Sequence, residues 1–102
     1  MYGYIGSMKT LPGKRESVMS ILASGADRLR ELHCQLYVVA ASNDDDVTIW
    51  VTEAWRRKED HDASLQLPEV KAAIVEVMPL LTGEFTSVET TIVGGLGVPS
   101  SA

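Results

Sequence analysis

The chain has 102 residues, 45% of them hydrophobic, and a formal net charge of −5 at pH 7. This length suits one domain, and the acidic balance argues against a nucleic-acid partner, because phosphate binding needs clustered basic side chains. No apolar stretch reaches the roughly 20 residues of a membrane span, and the N-terminus has no signal-peptide pattern, so we expect no membrane partner and a cytoplasmic protein.

The first part of the chain predicts a strand followed by a helix. Residues 2–10 predict the strand, because Tyr4, Ile5 and Met8 lie among small residues and the turn formers Pro12 and Gly13 follow. From Lys14 onward the apolar residues recur with a helical period. We expect them to form one buried helix face, which consists of Val18, Ile21, Leu22, Gly25, Leu29 and Leu32.

Residues 33–41 predict a second strand whose two faces are both partly apolar. Alternation puts Cys34 and Leu36 on one face and Tyr37 and Val39 on the other. A second copy of the chain could cover the face with Tyr37 and Val39, since a solvent-facing side would be more polar. Cys34 is the only cysteine, which excludes an internal disulfide and fits a reducing compartment; we expect it to pack as a small apolar residue.

Residues 47–55 predict the strongest strand, rich in β-branched and aromatic side chains. Trp50 belongs to its second apolar face, which a partner copy could also cover. The opposite face carries Val47, Ile49, Val51, Glu53 and Trp55. The acidic turn 42–46 before this strand lacks the alternate ligands and distal glutamate of a calcium loop, so we interpret it as a solvated hairpin tip.

The last part of the chain predicts two helical stretches and a final strand. A helix spans 59–65, Pro68 begins another, and Pro79 ends it. Residues 85–93 form the last strand. The order β-α-β-β-α-β predicts an α+β, ferredoxin-like fold with a four-stranded antiparallel sheet and helices on one face. We assign residues 1–93 to this domain and 94–102 to a flexible C-terminal tail.

The junction between the third strand and the following helix carries a family resemblance. Residues 50–55 read WVTEAW, the link 56–58 is basic, and 59–65 read EDHDASL. The segment resembles the antibiotic biosynthesis monooxygenase family, in which a strand ending in Glu-x-Trp runs directly into the second helix. In the family the first strand ends near a Pro-Gly-Lys turn, and Pro12, Gly13 and Lys14 form a similar sequence in this chain. The resemblance covers residues 2–93.

The resemblance implies a homodimer, a dimeric α/β barrel in which two sheets pack face to face. It also implies a cofactor-independent monooxygenase that acts on a quinol, a phenol or a polyketide-type aromatic substrate with dioxygen, using neither metal nor flavin. Two alternatives stay open. One is a non-catalytic dimeric module that binds a small molecule, and the other, which has less support, is haem degradation.

Candidate catalytic residues lie at the same junction. His61 is the candidate base, because imidazole titrates nearest neutral pH, and Trp55 could be an aromatic wall or an indole donor. Glu53 shares the face of Trp55, and a carboxylate facing an apolar interior must be paired or protonated. It is therefore either a member of an ion pair or a functional acid. The basic link supplies possible partners, which are Arg56, Arg57 and Lys58.

We expect the substrate to contact Glu53, Val51, Ile49 and Tyr4. In the resembled oxygenases an asparagine often occupies the position of Val51 and helps to hold the oxidised group of the substrate. Valine cannot donate a hydrogen bond. That part of the family mechanism therefore does not carry over, and haem degradation, which also uses an asparagine, loses support.

Overall fold

Four strands and three α-helices follow one another in the computed structural model, which describes residues 1–98. The strands are β1 (Tyr2–Thr10), β2 (Cys34–Ala41), β3 (Thr48–Trp55) and β4 (Leu81–Thr91), and the helices are α1 (Arg15–Ser24), α2 (Lys58–Ser64) and α3 (Pro68–Val77). Short 3₁₀ segments span Ala26–Leu32 and Met78–Leu80. The predicted tail begins at Gly94, and its end, residues 99–102, lies outside the described residues.

The strands form one antiparallel sheet in the order β2-β3-β1-β4. The first strand is central and pairs with both β3 and β4, which is the arrangement of a ferredoxin-like fold. The predicted α+β fold is therefore confirmed. Within residues 1–98, none of the helices has the length and apolar character needed to cross a membrane.

Two element boundaries differ from the predictions by more than two residues. The first helix does not continue to Leu32: α1 ends at Ser24, and after Gly25 the chain continues as a 3₁₀ segment. Glycine disfavours the helix interior, which explains the break. The last strand begins at Leu81, four residues earlier than predicted, and runs through Gly83, whose φ of 92° only glycine adopts without strain.

A bulge in β2 corrects the predicted position of Cys34. The pairing of β2 with β3 shifts register between Cys34 and Leu36, and a shift of one residue moves a side chain to the other face. Cys34 therefore does not share a face with Leu36. It is buried with Leu29 and Trp55 under the helices, and this burial confirms that it packs as an apolar residue.

The uncovered face of the sheet differs from the prediction at β2. Tyr37 and Val39 pair with Glu53 and Val51 and pack against the helix-side core, so the prediction that a partner copy covers them was wrong. The strand sequence alone cannot show which face meets the helices, because both faces of β2 are apolar. Trp50 does lie on the uncovered face and is 42% exposed.

The helix-covered face holds two buried clusters. One consists of Val18, Ile49, Val51 and Val77. The other, around Leu29, Cys34 and Trp55, lies nearer the end of β3. Side chains that are only partly buried, such as Ile21 and Val70, pack against these clusters and leave room for a cavity.

The acidic turn before β3 supplies the hydrogen-bond acceptor for its own backbone N–H groups. The Asp45 carboxylate accepts hydrogen bonds from the backbone N–H groups of Val47 and Thr48 and from the Thr48 hydroxyl, at 2.7–2.9 Å. These bonds, led by the one from Val47, lower the pKa of Asp45. Arg15 donates to the carbonyl oxygens of Ser42 and Asp45. The turn is thus a structured hairpin tip.

Candidate active site

A cavity of about 260 Å³ lies between the helices and the sheet. Its walls are mainly apolar and come from α1, the 3₁₀ segment Ala26–Leu32, α2 and α3. The apolar lining includes Ile21, Leu22, Leu29, Leu65, Leu67, Val70, Ala73 and Ile74. The polar and aromatic lining includes Arg28, Tyr37, Glu53, Trp55, His61, Ser64 and Glu69. An apolar pocket with a few converging polar groups is the usual form of a small-molecule site.

His61, on α2, is held by a neighbouring carboxylate. Its side chain is only 12% exposed, and Nδ1 lies 3.0 Å from Oδ1 of Asp62. A carboxylate can only accept a hydrogen bond, so this contact places the proton of the neutral imidazole on Nδ1. The lone pair is then on Nε2, which makes the ring ready to accept a proton.

Three aromatic rings surround the imidazole. Tyr4 stacks on it with a centroid distance of 5.3 Å and an interplanar angle of 23°. Tyr2 is tilted at 5.3 Å, and Trp55 meets the ring edge-on at 5.6 Å. Packing against these three rings restricts the orientation of His61.

Trp55 and Glu53 form a hydrogen-bonded pair in the cavity wall. Trp55 is 1% exposed, and its Nε1 donates to Oε1 of Glu53 at 2.9 Å. Burial raises the pKa of Glu53, and the indole hydrogen bond and the nearby His61 offset part of that rise. Burial, with Glu53 as a further cause, also raises the pKa of Tyr37 to about 12. The Tyr37 hydroxyl is therefore neutral at physiological pH.

The basic link after β3 does not neutralise Glu53. Arg56 pairs with Asp60 at 3.0 Å, Arg57 lies 3.9 Å from the same carboxylate, and Lys58 pairs with Glu89 on β4 at 3.1 Å. The expectation that one of these cations is the partner of Glu53 was therefore wrong. These ion pairs lie at the start of α2. Two of them connect the basic link to Asp60 in the first turn of the helix, and the third connects the helix to β4.

Of the predicted site residues, His61, Trp55 and Glu53 come together in the cavity wall. Tyr4 contacts His61 instead of lining the cavity. Its position opposite Glu53 in the pairing of β1 with β3 puts it on the same face of the sheet, beneath the imidazole.

Ile49 and Val51 lie elsewhere. They are 0% and 5% exposed and pack with Val18 and Val77 in the buried cluster nearer the middle of β3. Neither residue is part of the cavity lining. Contact between the substrate and these two residues stays a prediction that this geometry does not support.

The sequence reasoning missed several polar groups of the site. Asp62 was detectable, because a carboxylate directly after a candidate histidine can orient the ring. Tyr37 and Ser64 were not: the bulge in β2 and the packing of α2 bring them to the cavity. Arg28 and Glu69, which form an ion pair at 3.4 Å on the rim, come from segments 41 residues apart. In residues 1–98 no cluster of three or more His, Cys, Asp or Glu could hold a metal ion.

Comparison with protein families gives one match over most of the chain. Residues 1–76 match the model of the antibiotic biosynthesis monooxygenase family. No protein of curated function matches the sequence.

Solved structures match over nearly the whole chain. A candidate antibiotic biosynthesis monooxygenase from Chloroflexus aurantiacus J-10-fl is 42% identical, with 96% of this chain and 98% of that chain covered and a TM-score of 0.84. A candidate of the same kind from Nitrosomonas europaea is 20% identical, covering 94% and 99%, with a TM-score of 0.80. One from Deinococcus radiodurans is 19% identical, covering 98% and 100%, with a TM-score of 0.78. The last two share the fold.

Proposed function

The chain belongs to the antibiotic biosynthesis monooxygenase family, and we propose that it is a cofactor-independent monooxygenase for a quinol, a phenol or a polyketide-type aromatic substrate. The observation that carries this proposal is His61, which lines an apolar cavity while Asp62 holds its Nδ1. An oriented base in a water-poor pocket is what an oxygenase needs when its substrate is the reductant.

The chemistry begins with removal of a hydroxyl proton from the substrate by Nε2 of His61. The resulting anion is electron-rich enough to reduce dioxygen, and a carbon–oxygen bond forms to give a peroxide. Oxidation of a quinol to a hydroxyquinone supplies the four electrons that reduce dioxygen. One oxygen atom enters the product and the other leaves as water. The apolar walls assist, because they leave the anion poorly solvated.

The cavity volume favours a small substrate. An engineered protein cavity of about 150 Å³ holds benzene, and the cavity beside His61 measures about 260 Å³. One substituted ring, or two fused rings, would therefore fill it. Larger polyketide-type aromatics would need the walls formed by α2 and α3 to move apart.

We also propose that the chain works as a homodimer. The face of the sheet opposite the helices exposes a row of apolar side chains, with Ile5, Val38, Trp50 and Val88 between 39% and 57% exposed. They lie on all four strands, so the row crosses the whole sheet. A second copy placed on this face would bury the row. The cytoplasmic location stays a prediction from the sequence.

Oxygen uptake tests the function. The purified protein, treated with a chelator and freed of flavin, is given a panel of one-ring and two-ring hydroquinones in an oxygen-electrode cell. We expect uptake above the rate of autoxidation, and a loss of roughly 100-fold or more with His61→Ala, the scale on which general bases contribute. His33→Ala, which removes an exposed histidine away from the cavity, is the matched control and should keep the wild-type rate.

The same panel separates the enzyme from a binding module. A hydroquinone that protects the protein against thermal unfolding but causes no oxygen uptake would favour a non-catalytic module of the same fold. Uptake that is equal in wild type and His61→Ala would contradict the assignment of the base.

A further inference from the structure

We infer that Glu53 is the acid of the reaction, which gives a proton to the peroxide oxygen that leaves as water. This inference rests on the proposed function and assigns a second catalytic residue to the same site. It answers a chemical need, because a base alone can form the peroxide, whereas cleavage of the oxygen–oxygen bond produces hydroxide unless a proton is supplied.

The hydrogen bond from Trp55 determines which oxygen of Glu53 can act. The indole Nε1–H donates to Oε1 at 2.9 Å, so Oε1 is committed as an acceptor. Within residues 1–98 the other oxygen, Oε2, accepts no hydrogen bond, although the side chain lines the cavity. An acid proton on Oε2 would therefore have no partner in the wall and would be available to a bound substrate.

The surroundings of Glu53 favour the neutral carboxyl group. The three cations nearest in sequence pair with Asp60 and Glu89 instead, and burial raises the pKa of Glu53. Several titratable groups belong to its surroundings. They are Tyr37 and Cys34 on β2, Tyr4 on β1 and His61 on α2. Farther out, on the cavity rim, Arg28 and Glu69 pair with each other.

The imidazolium formed in the first step returns its proton to the outer oxygen of the peroxide, which gives a hydroperoxide and leaves His61 neutral again. The hydroperoxide carbon carries one hydrogen. His61 removes this hydrogen as a proton, and the C–H electron pair becomes the second bond of a new carbonyl group. The oxygen–oxygen bond breaks, its electron pair leaves with the outer oxygen, and that oxygen takes the proton from Oε2 of Glu53 to form water. The carbon is oxidised by two electrons and the peroxide is reduced by two.

The step leaves His61 protonated and Glu53 ionised. Transfer of one proton from the imidazolium to the carboxylate, directly or through a water molecule, restores both groups. The two side chains share one cavity, and their charges interact. The pair therefore returns to its starting state without a proton from outside the pocket.

Glu53→Gln tests the inference. The amide keeps the volume and an oxygen that can accept from Trp55, but it cannot give up a proton under these conditions. We expect a loss of about 100-fold or more in hydroxyquinone formation. We also expect the peroxide to leave unproductively, so that the unsubstituted quinone and hydrogen peroxide become the main products. Glu76→Gln, an exposed carboxylate on α3, is the control and should keep the wild-type product ratio.

The wild-type protein gives a second readout that does not depend on a variant folding. The ratio of hydrogen peroxide to hydroxyquinone should rise as the pH increases and Glu53 loses its proton, and this rise should be absent in Glu53→Gln. An unchanged product ratio in Glu53→Gln, or a wild-type ratio that does not vary with pH, would overturn the inference. If the wild type itself takes up no oxygen, the proposed function fails first and the role of Glu53 falls with it.

Discussion

The two tryptophans of β3 lie five positions apart and therefore on opposite faces of the sheet. Trp55 is 1% exposed, donates a hydrogen bond to Glu53 and lines the cavity. Trp50 is 42% exposed in a row of apolar side chains on the uncovered face. One strand thus supplies one aromatic residue to the cavity wall and another to the surface. The comparison shows that the surroundings of each tryptophan ring, and not the residue type, determine what the ring does.

The largest expected effect is on the buried member of this pair. Trp55→Ala removes a fully buried ring and should lower the free energy of unfolding by about 3–5 kcal/mol. Trp50→Ala should change it by less than about 1 kcal/mol when the protein is dilute enough to be monomeric. Urea denaturation of both variants at the same low concentration measures the two values. Equal losses would mean that the faces do not differ as described.

The exposed member should control assembly. Trp50→Glu places a charge in the proposed interface and should weaken the dimer by at least about 2 kcal/mol, or roughly 30-fold in Kd, as a central interface residue can. Sedimentation equilibrium measures the change. Val75→Glu, on a 72% exposed position of α3, is the control for an added surface charge. A wild-type protein that is monomeric would contradict the proposed homodimer.

Val51 and Val38 extend the same comparison to two valines on opposite faces. Val51→Asn should cost about 1–3 kcal/mol, because an amide would be buried without partners in the core cluster. Val38→Asn, at a 43% exposed position, should cost much less in the monomer. Thermal unfolding of the two variants measures both losses of stability. Normal stability together with increased oxygen uptake in Val51→Asn would show that this position does reach the substrate.

The smallest expected effect concerns Glu53 and the pH dependence of stability. The pKa of this carboxyl is raised in the folded protein, so its contribution to stability is fully present below the unfolded pKa and is lost as the pH rises through the folded pKa. Glu53→Gln should therefore match the wild type in acid and become relatively more stable toward neutral pH. Calorimetry across that range measures the difference in Tm. A difference that is constant with pH would contradict the burial of this carboxyl.

Much of the fold follows from local sequence features. Alternation in β3 places Glu53 and Trp55 on one face and Trp50 on the other, as the structure confirms. The stop at Pro79 is local too, since proline lacks a backbone donor and here lies within the 3₁₀ segment Met78–Leu80 that follows α3. These features depend on neighbours within a few residues, which a sequence displays directly.

The rest depends on long-range packing. The bulge that turns Cys34 toward Trp55 arises from pairing between two strands, and no residue of β2 alone marks it. The ion pairs of the basic link form with Asp60 and, across the fold, with Glu89, so the pairing of Glu53 could not be read from its neighbours. The proximity of Glu53, Trp55 and His61 was predictable, whereas their hydrogen bonds were not.

Isotope labelling tests the central claim most directly. The protein, free of metal and flavin, oxidises a one-ring hydroquinone under ¹⁸O₂, the reaction is quenched early, and mass spectrometry follows the product; a parallel reaction in labelled water corrects for exchange of the quinone oxygens. We predict that one ¹⁸O atom enters each hydroxyquinone and that the His61→Ala variant forms almost none of this product. A product whose added oxygen comes from water, or equal labelling by the variant, would contradict the account.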